Sequence, residues 1–284
     1  MAVVLNLHIY PIKSCRGIDL AEARLGPKGL EASGLGDRQW TVIDADGRTI
    51  TQRELPKLAL VTPRAASGAM TISAPGMSEL AIPLGAAAGG VTTRVATRVT
   101  IWGNTFNAID EGGEVARWLT AFLGVPARLA RFDENDRRAS DPVRTGGVEA
   151  LNRFSDGYPI LLLSRASLAD LNERWRKDGH PALPMDRFRP NIVIDGIGPY
   201  EEDYLASLAC GEFELKPVKA CARCSIPSVD QSTGEAGPAP IEKLTTYRFD
   251  ATLRGVVFGQ NAIVTRGTGA TLRIGQELVE QWTF

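Results

Sequence analysis

Histidine and cysteine are scarce in this sequence of 284 residues, which has only two histidines and four cysteines. They are His8, His180, Cys15, Cys210, Cys221 and Cys224. Four cysteines are too few for a disulfide scaffold in a chain of this size, so we expect a reducing, cytoplasmic setting. Two isolated histidines and the lack of a G-x-S-x-G elbow give little support to a Ser–His–Asp hydrolase.

Charge of one sign is not in excess, because 32 lysines and arginines stand against 33 aspartates and glutamates, for a formal net charge of −1. This balance argues against a nucleic-acid partner and against binding to a membrane surface. No apolar run approaches the roughly 18 residues that a membrane-spanning helix requires. The N-terminus does not have the charged region and cleavage site of a signal peptide, and we expect a strand to begin there almost at once.

Most of the hydrophobic periodicity in the sequence is the two-residue alternation of short strands. Leu5, Leu7 and Ile9 are predicted to share one face of the first strand. Two helices are predicted, within residues 113–124 and 164–181, where apolar side chains recur at helical spacing. Many short strands with two firm helices favour a mainly β fold with α elements (α+β) and a barrel-like architecture.

Two segments show neither strand nor helix periodicity. Residues 131–147 are polar and charged, and we interpret them as a solvated surface loop or a mobile lid. Residues 85–90, GAAAGG, predict a flexible break between strands.

Cys221 and Cys224 have the C-x-x-C spacing of several metal and redox sites, but each of those sites needs further partners. A structural zinc site needs four ligands, and no other cysteine or histidine in the sequence is paired. An iron–sulfur cluster would use all four cysteines at an unusual spacing. A thioredoxin-type pair belongs at a helix N-terminus, whereas this pair follows a predicted strand and precedes Pro227. These arguments favour a single reactive or metal-binding thiolate, in a sequence without a Walker A or G-x-G-x-x-G motif.

Basic residues occur where predicted strands begin or end. They are Lys13 and Arg16, with Ser14 between them, then Arg38, Arg187 and Arg189. Singly, each is an ordinary solvent-facing charge or half of a surface ion pair. Together, they could line the mouth of a barrel and hold an anion, because arginine can contact a phosphate group through two parallel hydrogen bonds.

Several stretches in this order resemble the MOSC-domain family, in particular its two-part members. These members include the bacterial hydroxylaminopurine-resistance proteins and the mitochondrial amidoxime-reducing component. The stretches are YPIKSCRG, DRQWTVID with ITQRELPKLALV, FSDGYPILLLSRASLADLN, FRPNIVI, CARCSIPSVDQSTGE and VFGQNAIV. The resemblance covers nearly the whole chain. It implies an N-terminal MOSC-associated β-rich region, residues 1–130, packed against a MOSC β-barrel, residues 131–284.

The resemblance also implies a site for the molybdenum cofactor, a molybdopterin that binds the metal. The second cysteine of C-x-R-C, here Cys224, is the family's protein ligand to molybdenum, and a soft thiolate suits such a metal centre. The implied cofactor-binding residues are Lys13, Ser14, Arg38, Asp156, Arg189, Asn191 and Arg223. Arg16 and Arg187 are weaker candidates. Asp230 is a candidate for proton handling, or alternatively a carboxylate that caps the turn before Thr233 and Gly234.

The activity that the resemblance implies is molybdenum-dependent reduction of small N-hydroxylated compounds such as hydroxylamino bases or amidoximes. The sequence shows neither the targeting segment of the mitochondrial relatives nor the ferredoxin-like domain of some bacterial ones. We therefore expect electrons from a separate flavin or iron–sulfur reductase, and no membrane or nucleic-acid partner. The alternative is a protein that binds, carries or sulfurates the cofactor without turning over a substrate.

Overall fold

The protein is described by a computed structural model that covers residues 1–85 and 95–283, and its fold is mainly β, as predicted. The first strands are β1 (Ala2–Ile9), β2 (Ile18–Leu20), β3 (Glu22–Gly26), β4 (Gly29–Ala32), β5 (Leu35–Gly36), β6 (Trp40–Ile43), β7 (Thr62–Ala66), β8 (Ala69–Ser73), β9 (Leu80–Pro83), β10 (Val95–Ile101), β11 (Asn104–Asp110) and β12 (Arg128–Phe132). The later strands are β13 (Ile160–Ser164), β14 (Ile192–Asp195), β15 (Leu205–Cys210), β16 (Phe213–Ala222), β17 (Phe249–Asp250), β18 (Gly255–Arg266), β19 (Thr271–Arg273) and β20 (Glu277–Trp282). The predicted break at residues 85–90 lies almost entirely outside the described residues.

Seven strands close into a barrel in the order β13, β14, β1, β20, β15, β16 and β18, because β18 also pairs with β13. The β13–β14 pair is parallel, and the other six neighbouring pairs are antiparallel. The first strand of the chain therefore completes a barrel that is otherwise built from the last 125 residues or so.

The first strand contains a bulge that changes the face on which its side chains lie. The register shifts between Val4 and Asn6, so that Leu5 is the extra residue of the strand. Val4, Leu7 and Ile9 are buried, whereas Leu5 is only half-buried. The prediction that Leu5 shares a face with Leu7 and Ile9 was therefore wrong, because strict alternation does not continue across a bulge.

Three smaller sheets surround the barrel. They are β10-β11-β12-β6, β19-β3-β4-β5 and β7-β8-β9. One apolar core runs through both regions and includes Leu25 and Met70 as well as Leu162 and Leu208. The first region thus packs directly on the barrel. The division at residues 130 and 131 falls inside β12 and stays a prediction.

Both predicted helices are present and are capped as expected. They are α1 (Gly113–Leu123) and α3 (Arg165–Lys177), with two short helices, α2 (Pro142–Thr145) and α4 (Pro240–Thr245). Gly124 ends α1 in the left-handed conformation, and the Ser164 hydroxyl accepts a hydrogen bond from the Ala166 N–H at the start of α3. In the described ranges, none of the helices has the length and apolar character needed to cross a membrane.

The interpretation of residues 131–147 as a solvated surface loop holds for only part of the segment, because most of its residues are exposed but four are buried. Arg131 and Phe132 belong to β12 and are buried. Ser140 and Thr145 are also buried, and the segment contains α2. The charge-rich sequence did not reveal this packing, because Arg131 and Arg138 bond to backbone carbonyl groups of the protein whereas Arg137 is exposed.

Candidate active site

A cavity at the open end of the barrel brings together residues from four distant parts of the sequence. Its enclosed part measures about 100 Å³. Eight of the predicted site residues line it: Lys13, Ser14, Arg38, Asp156, Arg189, Asn191, Arg223 and Cys224. The strand ends position them, since β1 and β16 lead into loops that carry Lys13, Ser14, Arg223 and Cys224, and the loops with Asp156, Arg189 and Asn191 lead into β13 and β14.

The loop after β1 places Lys13 inside the protein, where only 7% of the residue is exposed. Its ammonium group donates to the Phe154 carbonyl oxygen at 2.9 Å and to Asp156 Oδ1 at 2.6 Å. Burial lowers the pKa of Lys13, and the ion pair with Asp156 opposes that shift. Asp156 itself lies at the exposed mouth of the cavity. The pair therefore connects the buried floor of the cavity to its rim.

Asp37 organises the neighbouring wall, although sequence reasoning did not select it. Arg38 Nη1 donates to both carboxylate oxygens of Asp37 at 2.7 Å, and Asn191 Nδ2 donates to Asp37 Oδ1 at 2.9 Å. Asn191 also donates to the His8 carbonyl oxygen and accepts from the Leu161 N–H. Asn191 thus ties β1, β13 and β14 together, and its amide is already engaged within the protein.

Arg189 is buried on the aromatic ring of Tyr10, a second residue that sequence reasoning missed. Its guanidinium lies 4.2 Å from the ring centroid, and that of Arg38 lies 4.4 Å from the same centroid. Arg189 Nη1 donates to Gln231 Oε1 at 3.3 Å, while its buried Nη2 has no partner within the described part of the chain. Burial lowers the pKa of Arg189 to about 10, which leaves the group charged at neutral pH.

Arg223 lies beside the cysteine pair and is also incompletely bonded. Its Nη2 donates to the Phe188 carbonyl oxygen at 2.8 Å, and its Nη1 lies 3.3 Å from Cys221 Sγ. The buried Nε has no partner among the residues that the structure describes. Cys221 and Cys224 are free, half-buried thiols that line the same cavity.

Asp230 is not among the described residues that line the cavity, and its assignment as a catalytic group stays a prediction. One of its oxygens accepts from the Ser232 N–H and hydroxyl, and the other from Arg187 Nη2 at 2.7 Å. The Ser232 hydrogen bonds and the Arg187 charge lower the pKa of Asp230 to about 2. The turn-capping interpretation accounts for these contacts.

Arg16 and Arg187 support the loop after the cysteine pair. Arg16 Nη2 donates to the Gln231 carbonyl oxygen at 3.3 Å, and Arg187 Nη1 donates to the Ser228 carbonyl oxygen at 3.2 Å. Both arginines hold backbone, so the structure gives them a positioning role beside the cavity.

Arg138 is a further residue that the sequence did not reveal as part of the site. Its Nη1 donates to the carbonyl oxygens of Arg153 at 2.7 Å and Ser155 at 2.5 Å, and to the Asn152 side chain. These bonds fix the loop that presents Asp156. Only the arginine-rich composition of residues 131–147 hinted at this function.

The donor set suits an anionic group bound next to a soft metal. Of the buried guanidinium N–H groups that lack acceptors in the described structure, two belong to residues that line the cavity, Arg189 and Arg223. Phosphate oxygens would act as acceptors for them. No cluster of three or more His, Cys, Asp or Glu side chains that could hold a metal ion occurs in residues 1–85 and 95–283. A metal bound by Cys224 would therefore take its remaining ligands from the cofactor, as a pterin dithiolene provides. The residues present fit the molybdenum cofactor.

Comparisons with known proteins agree with this architecture. The sequence profile of the MOSC N-terminal beta barrel domain matches residues 1–126, and that of the MOSC domain matches residues 150–279. The chain is 37% identical to the human mitochondrial amidoxime-reducing component 1 over 256 residues, which are 87% of this chain and 72% of the relative. It is 36% identical to the bovine mitochondrial amidoxime reducing component 2 over 257 residues, 88% of this chain and 73% of the relative. The chain belongs to the MOSC-domain family.

Proposed function

We propose that this protein is a molybdenum-cofactor-dependent oxidoreductase that reduces N-hydroxylated compounds. The observation that carries the proposal is the cavity in which Cys224 meets buried cationic groups with open hydrogen-bonding capacity. Relatives at about 35% identity are named amidoxime-reducing components, which supports a reductive function.

The chain's own residues would hold the cofactor in two ways. Cys224 would bind the metal through its thiolate. Arg189 and Arg223 would donate their open N–H groups to anionic oxygens, and Lys13 would add a buried positive charge nearby. Since these groups come from separate loops that the barrel fixes, little reorganisation would be needed on binding.

The overall reaction requires two electrons and two protons for each N–O bond that is broken. An amidoxime then yields an amidine and one water molecule. When bound, the cofactor would supply the two-electron chemistry, and the protein would supply orientation, charge and a partly closed cavity. We propose that the electrons come from a separate flavin or iron–sulfur reductase. All four cysteines are free, in keeping with the cytoplasmic setting that we propose.

The test is to purify the protein from cells that synthesise the cofactor, to measure molybdenum, and to assay benzamidoxime with reduced methyl viologen as donor. We expect about one molybdenum per chain, turnover with viologen, and no turnover with NADH alone. Molybdenum without turnover would favour the carrier or sulfur-transfer alternative. Protein without molybdenum would reject both functions.

A further inference from the structure

A second cavity adjoins the one that contains Cys224. It measures about 300 Å³ and shares Lys13, Thr51, Arg53 and Trp102 with the first cavity. Because the two cavities share a wall, a molecule could occupy the second while its reactive end reaches the first. The second cavity, called the chamber below, is open to solvent and lies beside the cavity that contains Cys224.

Trp102 occupies an unusual position in this wall. It forms, with Gly103, the two-residue turn between β10 and β11, and the two residues have φ angles of 52° and 80°. Turns with two positive φ angles favour Asn followed by Gly, and a bulky residue at the first position is strained. The indole is nevertheless 56% exposed, so burial of apolar surface does not explain its presence.

Trp102 lies between an arginine and an aspartate. The Arg53 guanidinium lies 4.6 Å from the indole ring centroid, and Trp102 Nε1 donates to Asp156 Oδ1 at 3.2 Å. Arg48 also lines the second cavity, and none of the described residues lining that cavity is acidic. The second cavity thus offers an aromatic ring that Arg53 covers on one face and that Asp156 holds at its N–H. Lys13 is paired with Asp156, whereas Arg48 and Arg53 have no carboxylate beside them among the described lining residues of this cavity.

We propose that Trp102 and Arg53 determine substrate specificity by binding flat, aromatic, negatively charged N-hydroxylated compounds in this chamber. The ring of the substrate stacks on the indole face that Arg53 does not cover, and its anionic group meets Arg53 and Arg48. This inference rests on the proposed function, and it adds the substrate class that the site selects.

The test compares three probes: acetamidoxime, benzamidoxime and 4-carboxybenzamidoxime. Dissociation constants are measured by calorimetry on the molybdenum-loaded protein without an electron donor, and kcat/KM is measured per molybdenum with reduced viologen. The variants are Trp102→Asn, which suits the turn but removes the ring, and Trp102→Phe, which keeps an aromatic face. Arg53→Ala is matched by Arg98→Ala, which removes an exposed arginine of β10 that is outside the lining of either cavity.

We expect Trp102→Asn to weaken binding of both aromatic probes by roughly three- to tenfold. Trp102→Phe should keep most of the aromatic preference. Arg53→Ala, but not Arg98→Ala, should remove the advantage of the carboxylated probe over benzamidoxime. Equal loss for all three probes in Trp102→Asn, or equal behaviour of the two arginine variants, would overturn the inference. Failure of the wild-type protein to reduce any probe would instead reject the proposed function, and the calorimetric comparison would still decide the role of Trp102.

Discussion

At the residue scale, backbone conformation marks the site as clearly as side-chain chemistry does. Ser14, Arg38 and Arg189 all have positive φ angles, between 46° and 64°, and all three line the cavity. Each such backbone conformation costs a residue with a side chain about 1–3 kcal/mol. It persists only where the surrounding structure enforces it. Their concentration around one cavity indicates that the loops there are shaped for binding.

The two cysteines should differ in function although they line the same cavity. We expect Cys224→Ser to abolish reduction of N-hydroxylated substrates and to lower molybdenum content, because a hydroxyl is a poor substitute for a soft thiolate ligand. Cys221→Ser should keep much of both, since the Cys221 contact with Arg223 is a weak hydrogen bond to sulfur. Equal losses in the two variants, measured by metal analysis and turnover, would indicate a paired-thiol site instead.

Arg189 should contribute to cofactor retention and not to folding. Its charge is buried and its Nη2 has no partner in the described structure, so Arg189→Met should leave the melting temperature of the cofactor-free protein unchanged or raise it. Met can still pack on the Tyr10 ring. Charged hydrogen bonds contribute about 1.5–3 kcal/mol, so cofactor loss during dialysis should rise by roughly tenfold or more. Unchanged retention would contradict this assignment.

The resemblance assigned functions to some residues of the matching stretches and not to others. Lys13 and Cys224 were assigned from it, whereas Tyr10 and Gln231 lie in the same two stretches and were missed. What distinguishes Tyr10 and Gln231 is their contact with arginines that are far away in sequence, and only the folded structure shows those contacts.

At the element scale, the turn after Val229 is a structural support whose strength should depend on pH. Hydrogen bonds from Ser232 and the charge of Arg187 lower the pKa of Asp230 to about 2, below the ordinary value of about 4. A lowered carboxyl pKa stabilises the fold above the ordinary value, and this stabilisation is lost as the pH falls toward 2. Asp230→Asn should therefore be less stable than the wild type at pH 7 in urea unfolding, and the difference should shrink below pH 4. A constant difference would rule out this linkage.

The segment before Asp156 offers a direct comparison between neighbouring arginines. Arg138→Ala removes the Arg138 donor from the carbonyl oxygens of Arg153 and Ser155 and from Asn152 Oδ1, which still accepts from the Ser155 hydroxyl. We expect a loss of about 2–4 kcal/mol in the free energy of unfolding. Arg137→Ala removes an exposed side chain paired with Glu149, and its effect should stay within about 0.5 kcal/mol. Chemical denaturation of both variants measures the difference. Similar losses in unfolding free energy for the two variants would support the interpretation of this whole segment, residues 131–147, as a solvated loop.

The elements that the sequence predicted are those with a strong local pattern. Helix α1 has an apolar stripe and a terminal glycine, and α3 has a capping serine. The bulge at Leu5 and the hydrogen bonds of Arg138 depend on partners in other strands and loops, which sequence periodicity does not reveal.

At the scale of the whole molecule, β1 explains why the site needs both regions of the chain. This strand pairs with β14 and β20 in the barrel, and the loop after it delivers Lys13 and Ser14 to the cavity that contains Cys224. The mainly β fold was predictable from strand patterning and from the resemblance. The order of the strands around the barrel was not predictable, because it depends on pairings between the two ends of the chain.

The most direct test of the central claim is anomalous diffraction at the molybdenum K edge from crystals of protein purified with its cofactor. We predict a single strong peak within bonding distance of Cys224 Sγ, with density for an anionic group beside Arg189 and Arg223. A molybdenum peak elsewhere on the molecule, with the Cys224 cavity free of metal, would contradict the account.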